Sequence, residues 1–221
     1  MKTRLGKRLT ALFHAIPSGY DSVWDLCCDH GRLGMALIET GRAPRVHFND
    51  CIASIMTDLE TRLVRYGATG YTLHTVEAER LQLPGDGWHL LVLAGVGDEM
   101  TIRILEALSQ PGSESRFDWL ISPANNLFQV RRWLREQGYG LLEEGLVFEN
   151  GRGYEWLRVT QDRHRAPAPI GNPAPFWDAR DPQHRAHLTK LVRHARKQRR
   201  NPADTDSDAV LAAYEPLLAS D

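Results

Sequence analysis

The sequence predicts an α/β fold in which a mostly parallel sheet of seven strands ends in a β-hairpin. Its apolar segments, such as Val23–Cys28 and Leu90–Ala94, are continuous rather than alternating, which is typical of parallel strands covered on both faces. Segments with helical periodicity follow most of these strands. Later, Asn150-Gly151 separates two strand-like segments, as in a hairpin. Segments with helical periodicity outside this pattern predict an N-terminal helix before the sheet and a small helical appendage after it.

The spacing of apolar residues places the N-terminal helix over Leu5–Ile16, before Pro17, and ends two later helices at Gly67 and Gly138. The seven predicted strands are 23–28, 45–49, 71–75, 90–94, 119–122, 141–148 and 154–160. The other predicted helices are 32–40, 52–66, 99–108, 127–137, 182–200 and 206–218. A proline- and alanine-rich stretch predicts an extended linker or a wrapping segment. We therefore expect a main domain at 1–162, a linker at 163–181 and a helical appendage at 182–221. The appendage either packs on the main domain or is hinged from it.

Composition limits the class of protein. The chain has 221 residues, of which 42% are hydrophobic and 25% charged, as in ordinary globular proteins. No apolar segment approaches the roughly 20 residues that cross a bilayer, and the basic N-terminus lacks the apolar core of a signal peptide. The three cysteines, two of them adjacent at Cys27 and Cys28, have neither disulfide nor metal-ligand spacing. We expect a cytoplasmic protein that binds no membrane and no metal.

Basic residues concentrate near both ends, although the formal net charge is only −1. Lys2, Arg4, Lys7 and Arg8 lie close to the N-terminus. The basic residues of a late predicted helix are Arg185, Lys190, Arg193, Arg196, Lys197, Arg199 and Arg200. Two basic faces are compatible with a polyanionic partner. A solvated helix face is the alternative interpretation.

The segment Val23–Leu33 combines an apolar strand, a polar turn and the start of a helix. Such a unit places N–H groups and carboxylates at the carboxyl end of a sheet, where α/β proteins bind nucleotides. Because the turn has a single glycine, Gly31, it is not the G-x-G-x-x-G dinucleotide motif. Asp25 and Asp29 flank the turn and suit a ligand with positive charge and hydroxyls. S-adenosylmethionine (SAM), with a sulfonium, an ammonium group and a ribose, fits this description.

Further residues that could bind such a molecule lie at the ends of the predicted strands. Asp25 and Asp29 could bind the ammonium group, directly or through water, with a helix cap as the alternative for Asp29. Asp50 follows the second strand, where a carboxylate can accept both ribose hydroxyls, or it could cap the helix that begins near Ile52. The two glycines of Ala94–Gly97 allow the backbone to approach a ligand closely, unless they form only a turn.

Several segments carry a resemblance to a known family. They are Arg8-Leu9, Ile16-Pro17-Ser18-Gly19, Asp25 to Gly34, Leu91 to Gly97, Leu120 to Asn125, Arg131-Arg132-Trp133-Leu134 and Tyr154-Glu155. With them, the chain resembles the bacterial tRNA (adenine-22, N1) methyltransferases over roughly residues 5–160. This family has the Rossmann-like class I methyltransferase fold. The chain departs from it at Cys27-Cys28, where the family has Gly-Ser, at Val96-Gly97-Asp98, where it has Met-Gly-Gly, and at Ser122 to Asn126, near its Q-P-N.

The resemblance implies a SAM-dependent enzyme that methylates N1 of an adenosine in tRNA, with Asp29 as the catalytic carboxylate and His30 as its partner. It also implies that Glu77 binds the adenine amino group, although Glu77 could be a plain surface acid. The implied cofactor-binding residues are Asp25, Cys27, Asp29, Gly31, Leu33, Asp50, Cys51, Glu77, Ala78, Ala94, Gly95, Val96 and Gly97. The candidate RNA-binding residues are Lys7, Arg8, Asn125, Arg193, Arg196, Lys197 and Arg200, of which the basic ones could contact phosphates.

Other functions stay open at this point. The methyl acceptor could be another RNA or a small molecule, or the chain could bind SAM or RNA without catalysis. Tyr20, Trp24, Phe128 or Tyr154 could stack on a flipped base, but each also suits core packing. If the appendage binds RNA, binding should depend steeply on salt and weaken on truncation after about Thr160. The sequence does not indicate an oligomeric state.

Overall fold

The structure, a computed structural model, describes residues 3–109, 116–125, 127–166, 168–200 and 206–219. Lys2, Asn126 and the linker residue Pro167 lie outside these described residues. The helices are α1 (Lys7–Ala15), α2 (Arg32–Glu39), α3 (Ala53–Arg65), α4 (Asp98–Leu108), α5 (Phe128–Glu136), α6 (Pro182–Gln198) and α7 (Ser207–Ala219), with a 3-10 helix at Ala78–Arg80. The strands are β1 (Ser22–Leu26), β2 (Val46–Asn49), β3 (Tyr71–His74), β4 (Trp88–Ala94), β5 (Arg116–Ser122), β6 (Gly140–Glu149) and β7 (Arg152–Thr160).

The seven strands form one sheet in the order β3-β2-β1-β4-β5-β7-β6. Strands β1 to β5 are parallel, and β7 runs antiparallel to both β5 and β6. The chain moves outward from β1 to β3 and then returns to β4 on the other side of β1. The carboxyl ends of β1 and β4 therefore meet where the strand order reverses, which is where open α/β sheets bind ligands. The predicted fold class is confirmed.

The sheet separates two apolar cores, as the continuous apolar strands predict. Val23 and Trp24 are neighbours in β1 but belong to different cores, because side chains alternate across a strand. The central residues Leu90–Leu93 of β4 are 0% exposed. Helices α1, α2 and α3 cover one face, and α4 and α5 cover the other.

Two turns differ from their predicted bounds for reasons of backbone conformation. The first strand ends at Leu26 rather than Cys28, because Cys27 has a φ of 50° and leaves the extended region. The predicted hairpin is present, but its turn is only the two residues Asn150-Gly151, with φ values of 51° and 72°. Both angles are left-handed, as a tight hairpin turn that matches the strand twist requires.

The C-terminal helices pack on the main domain through a third apolar core. Leu188 of α6 and Tyr214 of α7 share this core with Phe128 of α5. Trp177 of the linker is buried there and stacks on His187 with ring centroids 5.1 Å apart. The linker therefore wraps along the protein. None of the helices in the described ranges combines the length and apolarity needed to cross a bilayer.

Candidate functional site

The candidate site begins at the turn after β1. Cys27, Asp29 and Gly31 have φ values of 50°, 47° and 59°. A left-handed backbone is costly for residues other than glycine, so the surrounding fold must hold this turn in place. The Gly31 N–H donates to the Cys28 carbonyl at 2.7 Å and closes the turn. The three cysteines, Cys51 included, are free thiols.

Two glycines let the turn and α2 sit close to β2 and α3. A Cβ atom on Gly31 would lie 2.7 Å from Leu59, and one on Gly34 would lie 2.2 Å from Phe48. The glycines at these positions therefore serve packing, and Gly31 also supplies a positive φ. The side chain of Leu33, a predicted cofactor residue, is buried in the core between α2 and the sheet. Only its backbone could face a ligand.

Asp25 is a buried carboxylate inside β1. It is 6% exposed, and its Oδ2 accepts the Gly34 N–H at 3.0 Å. Burial raises the pKa of Asp25 to about 7, although the Gly34 hydrogen bond opposes this shift. In the structure Asp25 fastens the first turn of α2 to β1. Its predicted role as a direct ligand of an ammonium group stays a prediction.

Asp29 and His30, the predicted catalytic pair, lie at the surface of the turn. The His30 Nε2 and Asp29 Oδ2 atoms are 3.7 Å apart, and the side chains are 63% and 65% exposed. The His30 carbonyl accepts a hydrogen bond from Arg62 Nη1 at 2.9 Å, which ties the turn to α3. Asp29 is not the N-cap of α2, because that position belongs to Gly31. Both side chains are free to meet a ligand.

Asp50 joins the β2 turn to the β1 turn. Its Oδ2 accepts the Asp29 N–H at 3.2 Å, and its Oδ1 accepts the Ile52 N–H at 3.0 Å. The second bond closes a local turn before α3 and is not the predicted helix cap, because the N-cap position of α3 belongs to Ile52. A carboxylate has about four acceptor sites, so two lone pairs remain for ligand hydroxyls. These two backbone contacts and ribose binding are therefore compatible at Asp50.

Ile52 is a candidate ligand contact that was not predicted from the sequence. Its side chain is 50% exposed although it is a large apolar group, and it stands two residues after Asp50. Cys51 between them is also exposed. An apolar side chain exposed beside a ribose-binding carboxylate offers a face for a flat heterocycle. An isoleucine just after the predicted acid was the signal available in the sequence.

The loop after β3 places Glu77 and Ala78 at the same edge of the sheet as the turns after β1 and β2, because these strands are parallel. Glu77 is exposed and pairs with Arg80 at 3.1 Å. Ala78 is buried in the core beneath the loop. Glu79 pairs with Arg103 of α4 at 2.7 Å, so the loop is fastened to α4. Glu77 therefore lies at the surface, and its predicted binding of the adenine amino group stays a prediction.

The turn after β4, Ala94 to Gly97, is held to the β5 loop. Val96 accepts the Ala124 N–H at 2.8 Å. The Asn125 side chain accepts the Asp98 N–H at 3.1 Å and donates to the Asp98 carboxylate at 2.8 Å. Asp98 thus links the turn after β4 to Asn125. Gly95 has a φ of 100°, and a Cβ on Gly97 would meet no atom within 4 Å, so the turn is open to a ligand.

Arg8 of α1 reaches the same edge of the sheet, at the carboxyl end of β5. It is partly buried, and its Nε donates to Ser122 Oγ at 3.2 Å. Its Nη2 donates to the Ser122 carbonyl. Lys7 is exposed, and its backbone N–H donates to Glu149 at 2.6 Å. Burial lowers the pKa of Arg8, against the attraction of Tyr154 and Glu149.

A groove of about 1020 Å³ runs from the start of α4 to α6 and α7. Asp98 and Asn125 line its end at the sheet, so it opens from the turn after β4. Most of its charged side chains are basic. The basic lining residues are Arg132, Arg152, Lys190, Arg193 and Lys197, with His187 and His194.

The structure divides the predicted RNA-binding residues of α6. Arg193 and Lys197 line the groove, as expected for one face of the helix. Arg196 instead pairs with Glu215 of α7 at 2.8 Å, and Arg200 is exposed near the end of α6. Arg152, which was not predicted as an RNA-binding residue, lines the groove from the hairpin. Its position next to the Asn-Gly turn was the available signal.

The donor set around the first two turns fits SAM. Asp50 keeps lone pairs for ribose hydroxyls, Ile52 offers an apolar face, and the open turn at Gly97 leaves room beside them. Asp29, whose N–H binds Asp50, and His30 have exposed side chains. Within the described part of the chain, no group of three or more His, Cys, Asp or Glu residues is arranged to hold a metal ion.

The chain is similar to known proteins in both family and fold. The family described as "Methyltransferase domain" matches residues 5–157, whereas no curated protein sequence matches the chain. The m1A22 tRNA methyltransferase TrmK of B. subtilis is 18% identical, with a TM-score of 0.72 over 99% of this chain and 97% of that one. M. capricolum TrmK in complex with S-adenosyl-homocysteine is 13% identical, with a TM-score of 0.69 over 96% of each chain.

A methyltransferase with a different substrate matches less of the chain. Magnesium protoporphyrin IX methyltransferase (ChlM) of Synechocystis PCC 6803, with bound SAM, is 15% identical with a TM-score of 0.52. It covers 70% of this chain and 76% of its own length. At these identities the structural likeness shows the fold.

Proposed function

The chain belongs to the methyltransferase-domain family, and on that premise we propose that it transfers a methyl group from SAM to N1 of an adenosine in tRNA. The observation that carries the proposal is the hydrogen bond between Asp50 and the Asp29 N–H, at 3.2 Å. It joins the candidate ribose-binding carboxylate to the candidate catalytic turn at the point where the strand order reverses.

Each part of the site has a defined task in this reaction. Asp50 accepts the ribose hydroxyls, and Ile52 contacts the adenine ring of the cofactor. When bound, SAM supplies a methyl group on a positively charged sulfur. The turn at Gly95–Gly97 admits the acceptor base beside it, and orientation of the reacting atoms lowers the barrier.

Asp29 is the group proposed to assist the transfer. The ring nitrogen attacks through its lone pair, and the base gains positive charge as the new bond forms. A fixed carboxylate near that charge stabilises the transition state. His30, 3.7 Å from Asp29 Oδ2, orients the carboxylate. RNA bound over this exposed pair would remove water and strengthen the interaction.

Two features favour tRNA over a small acceptor. The groove that opens from the β4 turn has a mainly basic lining, which suits a phosphate backbone. The TrmK structures cover almost the whole chain, including the C-terminal appendage, whereas ChlM covers 70% of it. N1 is paired in a duplex, so the base must leave its helix to react.

The test is transfer of a radiolabelled methyl group from SAM to bacterial tRNA, followed by digestion and mass spectrometry of the nucleosides. We expect 1-methyladenosine. Asp29→Asn should lower turnover at least about tenfold, whereas Asp58→Asn, an exposed aspartate on α3, should not change it. Another methylated nucleoside would change the assigned base. SAM binding without transfer to any RNA would contradict the proposal.

A further inference from the structure

Arg8, Arg152 and Tyr154 form an arginine–tyrosine cluster where the groove meets the turn after β4. The guanidinium carbon of Arg8 lies 4.7 Å from the centroid of the Tyr154 ring, and that of Arg152 lies 5.7 Å from it. Arg8 comes from α1, whereas the other two residues begin β7. Elements more than 140 residues apart in sequence thus place two cations on one aromatic ring.

Arg8 is held in one orientation by the ends of the strands. Its Nε and Nη2 both bind Ser122, whose carbonyl also accepts the Gly95 N–H at 3.0 Å. Ser122 Oγ in turn donates to the Glu155 carbonyl at 3.0 Å. The remaining terminal nitrogen, Nη1, is turned toward the β4 turn, since a Cβ on Gly95 would lie 3.9 Å from it.

Arg152 is held in a similar way. Its Nη2 donates to the Ala124 carbonyl at 3.2 Å, and the side chain lines the groove. Within the described part of the chain, neither Arg8 nor Arg152 forms an ion pair. Glu149 attracts Arg8, but its carboxylate is bonded to the Lys7 N–H.

The two guanidinium groups repel one another, and the charge of Arg152 contributes to the lowered pKa of Arg8. An anion between them would remove this repulsion and accept hydrogen bonds from two preorganised donors. A phosphate group matches the geometry of the guanidinium fork. A nucleobase would not neutralise either charge.

We propose that the arginine–tyrosine cluster binds one RNA phosphate, next to the nucleotide whose base enters the β4 turn. This inference rests on the proposed function, because it takes RNA as the acceptor. The phosphate contact fixes the register of the strand, while Gly95 and Gly97 leave room for the base. The cluster then acts as a positioning element for the acceptor rather than as a catalytic one.

Phosphate-ethylation interference on a bacterial tRNA transcript tests this inference without any methyl transfer. Ethylation removes the charge of single phosphates, and bound and free RNA are compared position by position. Wild-type protein should show interference at a phosphate where Arg152→Gln shows little or none. The control Arg196→Gln, which alters an arginine paired with Glu215, should keep the wild-type pattern.

Arg8→Lys provides a second variant, because lysine keeps the charge but loses the fork. We expect weaker interference at the same phosphate, with thermal unfolding showing that the variant is folded. The salt slope of binding should fall by about 0.7–0.9 for Arg152→Gln, the value of one neutralised phosphate. Identical patterns and slopes in wild-type and Arg152→Gln protein, with methylation intact, would overturn this inference alone. Absence of tRNA binding by wild-type protein would overturn the proposed function as well.

Discussion

Asp25 and Asp50 show how position relative to a strand end decides what a carboxylate does. Asp25 lies inside β1, where burial raises its pKa to about 7 and the Gly34 N–H is its partner. Asp50 lies just after β2, is partly exposed and accepts two backbone N–H groups. In the sequence, both are aspartates near the end of a predicted strand. Only the exact position of the strand end distinguishes their roles. We therefore expect Asp50 to matter more for ligand binding.

Asp50→Ala should weaken SAM binding at least about tenfold, which equals about 1.4 kcal/mol. The change also leaves the Asp29 and Ile52 N–H groups without their partner, at a cost of about 0.5–1.5 kcal/mol in the free energy of unfolding. Titration calorimetry and urea unfolding measure the two effects separately. Asp50→Asn keeps one acceptor oxygen and should lose less stability. Unchanged SAM affinity in Asp50→Ala would show that Asp50 serves only to hold the backbone of the two turns.

His47 makes the protein sensitive to acid. Its ring stacks on Trp24 at 3.9 Å, its Nδ1 is 3.0 Å from His74 Nε2, and burial lowers its pKa to about 4. Between about pH 6.5 and about 4, the unfolded chain binds a proton that folded His47 does not. The contribution of His47 to stability is therefore complete above the unfolded pKa and is lost as the pH falls through this window.

Urea unfolding at pH 7 and pH 5 tests this dependence. The wild-type protein should lose more stability on acidification than His47→Gln, because glutamine does not titrate. His14→Gln removes an exposed histidine of α1 and should behave as wild type. Equal losses in wild type and His47→Gln would contradict the assignment.

At the scale of elements, the sequence predicted the α-helices and strands of the described residues, though not the 3-10 helix at Ala78–Arg80, because apolar periodicity reports burial directly. It did not predict the end of β1, since the left-handed conformation of Cys27 and Asp29 is imposed by contacts around the turn. Nor could it show that Arg131 and Glu155, each matched separately to a family motif, form a buried ion pair at 3.0 Å. Local patterns carry no information about such partners.

Gly34→Ala should lower the free energy of unfolding by about 1–3 kcal/mol, because the new Cβ would lie 2.2 Å from the Phe48 ring where α2 crosses β2. Gly85→Ala is the matched control, since a Cβ there would meet no atom within 4 Å. Denaturant unfolding compares the two variants. Similar stability of both would show that α2 can shift at little cost.

Arg131 joins α5 to the hairpin and to the linker. It is fully buried, lies 2.8 Å from Glu144 of β6, and donates to the Gly171 carbonyl at 3.0 Å. Arg131→Met should cost about 3–5 kcal/mol in the free energy of unfolding, because Glu144 and Glu155 would lose their counter-charge. Adding Glu155→Leu should recover part of that loss in the same unfolding measurement. No recovery would indicate that Arg131 acts through packing alone.

At the scale of the whole molecule, the charges of α6 are divided between two surfaces. Arg193 and Lys197 face the groove, whereas Arg196 and Arg199 pair with Glu215 and Asp208 of α7. The sequence predicted a basic helix but not this division, which depends on where α7 packs.

Arg193→Gln with Lys197→Gln should weaken tRNA binding, and the salt slope should fall by about 0.7–0.9 for each phosphate that the variant no longer neutralises. Arg196→Gln with Arg199→Gln removes the same charge from the other surface and should change the slope less. Filter binding over a series of salt concentrations measures both pairs. Equal effects would mean that net charge, rather than the groove, attracts the RNA.

The C-terminal segment, meaning the linker and the appendage together, packs against the sheet. Truncation after about Thr160 would therefore remove more than RNA contacts. The ten-residue β6 is the last strand of the sheet, and the segment covers it through the Leu141 pairing with Ala168 and the packing of Leu146 and Phe148. Truncation there would expose the unpaired edge of β6 and apolar side chains. Such an exposed edge tends to pair with strands of other chains. We therefore expect the truncated protein to aggregate, and aggregation would lower its measured tRNA affinity in addition to the loss of Arg193 and Lys197. The linker and the appendage together thus also hinder β6 from pairing with a strand of a second copy of the protein.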